Sequence, residues 1–283
     1  MMRGKGAIAD FWRRLGRNRA AVIGVLLIGI YLGIAVFAPW IAPYDPQQGS
    51  SADRIKAPCL QYWLGTDELG RDVLSRLIYG ARISLFIQLA SMVLALGAGV
   101  SLGSIAGFYG GLIDRLIVGF MDILLAFPSI FLAIIVIAII GPGISNVIFA
   151  AATYSVPQFA LITRASFMSI REMEFIEAAR AAGERDHAVI LLYLLPNTFA
   201  PLIVQSTLRM ATILLTVSGL SYLGLGVQPP TPEWGAMLSM GRTYILTAPH
   251  VATFPGLAIM LVVLGFNLLG DGLRDSLDPR LKD

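Results

Sequence analysis

Apolar residues run along this chain in blocks of about twenty, separated by short polar stretches, at 21–41, 83–108, 113–140, 144–163, 196–220 and 251–269. A bilayer's hydrocarbon core is about 30 Å thick, and a helix rising about 1.5 Å per residue needs about twenty apolar residues to cross it. No block shows the two-residue alternation of a barrel strand. A helix also satisfies its own backbone hydrogen bonds, which lipid requires. The pattern predicts an all-α polytopic membrane protein with about six transmembrane helices.

Three details refine the blocks. Gly99, Gly103 and Gly107 recur every four residues, which leaves one helix face bare for close approach by a neighbour. Pro128 and Pro157 fall inside the third and fourth blocks, where proline kinks a helix. Asp122 and Arg209 are the charges drawn inside spans. Such residues are rare and face protein or water, so both are candidates for a translocation path.

Composition agrees with a lipid environment. Hydrophobic residues make up 56% of the chain and charged residues 14%, and mean hydropathy is +0.74. The net charge of +3 and pI near 9.1 do not indicate nucleic acid, because the basic residues lie between the apolar blocks and report orientation instead. With the N-terminus inside, the cytoplasmic pieces hold fourteen basic residues, among them Arg13, Arg14, Arg17, Arg19, Arg164, Arg171, Arg180 and Arg185. The outer pieces hold six: Arg54, Lys56, Arg71, Arg76, Arg82 and Arg242. Both termini are therefore expected on the cytoplasmic side. The run 20–41 is too long for a signal-peptide core, and Trp40 reads as an interfacial anchor. Phe11, Trp12 and Leu15 among the arginines suggest an amphipathic helix on the membrane surface. The chain thus divides into an N-terminal piece (1–20), a transmembrane body (21–270) with an outer loop (42–82) and a cytoplasmic loop (164–195), and a cytoplasmic tail (271–283).

Candidate chemistry is sparse. The single Cys59 has no partner in the chain, and His187 and His250 lie far apart, so a metal site is not expected. No nucleotide-binding Gly-x-x-x-x-Gly-Lys-Ser/Thr loop exists, since the only Gly-Lys pair is Gly4-Lys5. No nucleophile-elbow or zinc-protease motif occurs either. The chain reads as non-catalytic.

The segment 164–195 is the one long polar stretch on the cytoplasmic side. Glu172-Met173-Glu174-Phe175-Ile176-Glu177-Ala178-Ala179-Arg180-Ala181-Ala182 are strong helix formers, and Gly183 is a natural stop. A second apolar helix resumes over 188–195 and ends at Pro196. A short helix, a glycine break and a second helix form a knob shaped to dock into a partner's groove. On the other side, Thr66 or Asp67 is placed to cap an interfacial helix carrying Leu69, Val73, Leu74 and Leu77. The run Pro229-Pro230-Thr231-Pro232 reads as a rigid loop that positions Trp234 at the interface.

Glu177-Ala178-Ala179, then Gly183, then Leu194-Leu195-Pro196-Asn197, resembles the "EAA" loop of importer permeases of the ATP-binding-cassette class. Tyr193 departs from the His common at that place. Gly65-Thr66-Asp67-Glu68-Leu69-Gly70-Arg71-Asp72, Tyr222-Leu223-Gly224-Leu225-Gly226 and Asn267-Leu268-Leu269-Gly270-Asp271-Gly272-Leu273 are similar to stretches of dipeptide, oligopeptide and nickel permeases, in particular the "C" permease of the pair. Val217 stands where many relatives carry Glu. The resemblance implies a type I importer permease fold in the bacterial inner membrane and alternating access. It implies a second homologous permease subunit, two cytoplasmic ATPase subunits that hold the ATP and Mg, and an extracytoplasmic substrate-binding protein. It also implies a cargo that is a peptide, a nickel chelate or a similar small solute, and an ATPase-coupling loop comprising Glu174, Glu177, Ala178, Ala179, Arg180 and Gly183. The rival reading, a self-contained ion-coupled carrier, calls for internal repeats and several buried ionisable residues. Neither is evident here.

Overall fold

The computed structural model describes residues 13–277. Helix α1 (Arg19–Ile41) starts at Asn18, whose side-chain oxygen accepts from the Ala21 amide at 3.2 Å. Helix α2 (Val73–Tyr109) starts at Asp72, which accepts from the Ser75 amide at 2.7 Å and its hydroxyl at 2.6 Å. Its 37 residues make it about 55 Å long, well beyond a bilayer core. It begins ten residues before the apolar block because its charged first turns are neutralised within the protein. Arg76 is 2% exposed and lies 3.3 Å from Asp67. It also donates to the carbonyl oxygen of Pro46 at 2.9 Å.

The third apolar block is two helices, α3 (Gly111–Leu125) and α4 (Ser129–Ile140), bent by 94°. Pro128 caps α4 instead of kinking one continuous span. The chain continues into α5 (Ile144–Ile170), α6 (Glu174–Ala181), α7 (Phe199–Tyr222), α8 (Trp234–Gly241) and α9 (His250–Leu277). Among the described residues five helices are long and apolar enough to span a membrane, or six with the bent pair. Packing decides for six. Gly99, Gly103 and Gly107 of α2 lie against Val156, Ala160 and Arg164 of α5 in rising order, so α2 and α5 run parallel. Residues 111–143 must therefore carry the chain back across the bundle. Helices α1 and α9 are antiparallel, with Gly24 against Leu269 and Gly272 against Ala21. Among the described residues the two chain ends meet beside α6's end of the bundle, where Asn18 donates to Asp275 at 3.4 Å.

The α2–α5 seam bears out the expected bare face. A Cβ at Gly99 would lie 2.8 Å from the Val156 carbonyl oxygen, and one at Gly107 would lie 2.7 Å from the Phe167 Cβ. At Gly103 it would run into the Ala160 carbonyl. The core around this seam contains Ile87, Met92, Ala95, Phe159, Ile213, Leu214 and Leu220, all buried.

At the end opposite α6, loop 42–72 folds as a compact cap. Thr66 and Asp67 do not start a helix. Asp67 instead accepts from the amides of Leu69 and Arg71 at 2.9 and 3.0 Å and pairs with the Arg71 guanidinium at 2.7 Å. Those bonds turn the backbone through Gly70 (φ +73°) before α2 begins. Nor is Trp234 at an interface. It is 3% exposed, its ring stands 5.4 Å from that of Tyr31, and its Nε1–H donates to the Leu77 carbonyl at 2.9 Å. Glu233 is fully buried and caps α8, accepting from the amides of Gly235 and Ala236 at 3.0 and 2.9 Å. Burial holds its carboxyl group above the usual carboxylate range, and those two amide bonds offset only part of the rise.

Replacing Gly103 with Leu forces α2 off α5. Overpacking of this kind costs about 1–3 kcal/mol or more, so the variant is expected to show a lower midpoint of thermal unfolding in detergent. Gly97→Leu is the control, since nothing lies within 4 Å of a Cβ there. Equal midpoints for the two variants would show that the α2–α5 seam does not hold the bundle.

Candidate functional site

Helix α6 is held from one side and free on the other. Glu174 and Glu177 in its first turn and Arg180 in its last complement the helix dipole. It ends in a Schellman motif: the Gly183 amide donates to the Arg180 carbonyl at 3.0 Å and the Glu184 amide to the Ala179 carbonyl at 3.2 Å. That motif requires a left-handed residue, and Gly183 supplies it with φ +82°. Ile176 and Ala179 turn inward, and Ile176 packs with Phe108, Phe167, Val189 and Leu194. Glu174, Glu177, Ala178 and Arg180 are exposed, beside the exposed apolar Met173 and Phe175. Of the paired alanines, Ala178 therefore presents a small surface outward, while Ala179 lets α6 sit close to its own chain. Behind α6 the chain is helical again over 186–197, with a π turn at Val189–Leu194 just ahead of Pro196, which has no amide to donate.

Three arginines tie α5 and α6 to the corner between α2 and α3, where Gly110 (φ +66°) and Gly111 (φ +61°) reverse the chain. Arg164 of α5 grips Asp114 of α3 with two parallel contacts, one of 2.6 Å between Nη2 and Oδ2. Arg171 donates to the Gly107 carbonyl at 3.2 Å. The Arg180 guanidinium lies 5.1 Å from the Phe108 ring centroid, in cation–π range. Asp122 is exposed on α3 and feels Arg164 electrostatically, so the structure does not bring it together with Arg209.

Arg209 belongs to a separate polar seam between α5 and α7. Gln205 donates to Gln158 at 3.2 Å, and one turn further along each helix stand Arg209 and Tyr154. The Tyr154 hydroxyl is buried, with Thr216 and Ser155 beside it but no hydrogen bond of normal length. Arg209 is half-buried, its one electrostatic neighbour is Tyr154, and it makes no ion pair among the described residues. An unpaired charge at the centre of a lipid-facing helix costs at least about 2.5–3.5 kcal/mol on insertion scales. A half-exposed stripe of Gln158, Gln205, Ser206, Arg209 and Thr212 is thus a face built for water or another protein.

Residues 99–283 match the family described as binding-protein-dependent transport system inner membrane component, and residues 7–58 match the N-terminal TM domain of oligopeptide transport permease C. The chain is 46% identical over 273 residues to the dipeptide transport system permease protein DppC of Alkalihalophilus pseudofirmus, covering 96% of this chain and 90% of that protein. It is 47% identical over 274 residues to the glutathione transport system permease protein GsiD of Escherichia coli, covering 96% of this chain and 90% of that one. A chain of the MetNI methionine ABC transporter in an inward-facing form shares the fold, with a TM-score of 0.55 at 20% identity over 71% of this chain and 96% of that chain.

The fold is thus that of a type I importer permease. The chain belongs to the binding-protein-dependent transport system inner membrane component family, as a multi-pass membrane permease of a bacterial ABC importer. Membership makes it the non-catalytic membrane component, served by partner ATPases that hydrolyse ATP and by a substrate-binding protein. It also sets aside the ion-coupled carrier.

Sequence reasoning missed Asp114, Arg164, Gln158 and Tyr154. Asp114 and Arg164 stand fifty positions apart, at a depth where charges looked merely interfacial, and no local period links them. Removing one partner of a charged hydrogen-bonded pair costs about 1.5–3 kcal/mol. Asp114→Asn is expected to lower the thermal midpoint, and the swap Asp114→Arg with Arg164→Asp to recover part of the loss. A swap no better than the single variant would show that the two side chains do not act as a pair.

Proposed function

We propose that this chain forms one half of the translocation path of an importer for short peptides or peptide-like solutes, and that α6 couples that path to ATP hydrolysis. The observation that carries the reading is the construction of α6, which is small, stopped by a left-handed glycine, anchored on one face by Ile176 and Ala179, and open on the other. In that role Glu174, Glu177, Ala178 and Arg180 meet an ATPase subunit, and a second homologous permease supplies the other half of the path. The cargo class rests on the dipeptide and glutathione permeases among the relatives; they give a nickel chelate no support. The positive-inside count puts α6 and both termini in the cytoplasm and loop 42–72 outside, where the binding protein delivers its load. Arg209 then belongs to the path. Asp122, coupled to Arg164, belongs instead to the region that carries α6.

Gly183→Val tests the coupling role. No side chain lies within 4 Å of a Cβ at this position, so the substitution acts through the left-handed backbone alone. Strain of that kind costs on the order of 1–3 kcal/mol and should unwind the end of α6. The expected result is normal membrane insertion with loss of substrate-stimulated ATP hydrolysis in the reconstituted complex. Transport at the parental rate with both ATPases bound would sink the assignment. Sidedness is read separately, by labelling a cysteine at position 181 in a Cys59-free background with an impermeant reagent. Protection in intact cells and labelling in inverted vesicles is the expected pattern, and labelling from outside would reverse the topology.

A further inference from the structure

We infer that Arg209 is the counter-charge for a carboxylate group of the cargo, with Gln158 and Gln205 lining the approach and Tyr154 behind it; this rests on the reading of the chain as half of a translocation path. Arg209 is the eleventh of the 24 residues of α7, about 15 Å from the start of the helix and about 20 Å from its end. It is the half-buried cation of the helix, and no carboxylate of the described residues reaches it. Asp114 is engaged with Arg164, Asp122 lies exposed on α3 within electrostatic reach of Arg164, and Glu233 is buried at the start of α8, held by its own amide bonds. Its electrostatic neighbour is the phenol of Tyr154, and one turn earlier on α7 Gln205 donates to Gln158; all three are neutral groups. They can donate hydrogen bonds to an anion, yet they do not cancel the positive charge.

The polar groups continue along one stripe. Ser206 and Thr212 are half-exposed on α7 beside Arg209. A guanidinium offers a planar fork of donors matched to a carboxylate. In a peptide permease the group of that shape is the cargo's own carboxylate. Because the site holds one sign of charge with neutral flanks, it favours an anionic group without gripping it by a second cation, as passage requires.

The test uses the whole complex in liposomes, with its binding protein and a dipeptide as the probe. Arg209→Lys keeps the charge without the fork, and Arg209→Met removes the charge at similar bulk. Losing the partner of a desolvated charged group costs enough to cut the rate about tenfold or more, so Arg209→Met is expected to lose at least that much dipeptide transport and Arg209→Lys markedly less. Copurification of both ATPases is the control for assembly. The same dipeptide as its C-terminal amide, presented on receptor at equal loading, should be carried poorly by the parental complex and no worse by Arg209→Met. Equal losses for both peptides, equal losses for Lys and Met, or no loss at all would each overturn the proposal. Gly183→Val in the same assay separates the two readings. If it transports normally the coupling reading fails, whereas normal dipeptide transport by Arg209→Met, with Gly183→Val inactive, removes only the role of Arg209. A parental complex that carries no carboxylate-bearing peptide at all overturns both the cargo class and this site.

Discussion

The close approach of α2 to α5 is the contact on which the rest of the bundle depends. In lipid no hydrophobic effect presses one apolar helix on another, so association comes from van der Waals contact at short range. Gly99, Gly103 and Gly107 allow it, by leaving the backbone of α2 against the carbonyl groups of Val156, Ala160 and Arg164. Because the two helices run parallel, this seam also obliges α3 and α4 to cross between them. It brings the C-terminal ends of α2 and α5 to the same place, and the platform for α6 is built there.

That platform shows how a knob of eight residues is kept in place. An isolated helix of that length is unstable in water. Here Phe108 comes from the end of α2, Phe167 from the end of α5, and Val189 and Leu194 from the helix that follows, and together they close over Ile176. The arginines add direction. Arg164 locks α3 to α5, Arg171 takes the carbonyl of Gly107, and Arg180 lies on Phe108. Helix α6 is therefore seated on a corner shared by α2, α3 and α5. The opposite end is held together differently, by charged groups that pair within the fold. Asp67 holds Arg71 and Arg76, Arg76 reaches the carbonyl groups of Pro46 and Pro230, and Glu233 caps α8 under Trp234.

The number of crossings, the glycine face and the short helix stopped by Gly183 were legible from residue type and spacing, because each is a local property with its own period or terminator. Local signals also misled, as two cases show. The block 113–140 read as one span because apolar residues do not report a 94° turn, and Pro128 could signal either a kink or a break. Trp234 read as an interfacial anchor because aromatic residues after a proline-rich loop commonly are; the nearby Gly80 leaves room for its ring, and the Leu77 carbonyl takes its N–H.

By itself the sequence determined what this protein is made of: apolar helices of membrane length, a polar knob between the fourth and fifth blocks, and an arginine inside a span. Only the tertiary structure decided which groups meet. That α2 starts at Val73, that Asp114 answers Arg164 while Asp122 stays away from Arg209, and that Ala179 faces inward where Ala178 faces out, all depend on helix rotation and on contacts between distant positions. Helix propensity and hydropathy are sums over neighbours along the chain and carry no rotation angle. Charge pairing and close packing are set by distance in space, and the fold alone supplies it.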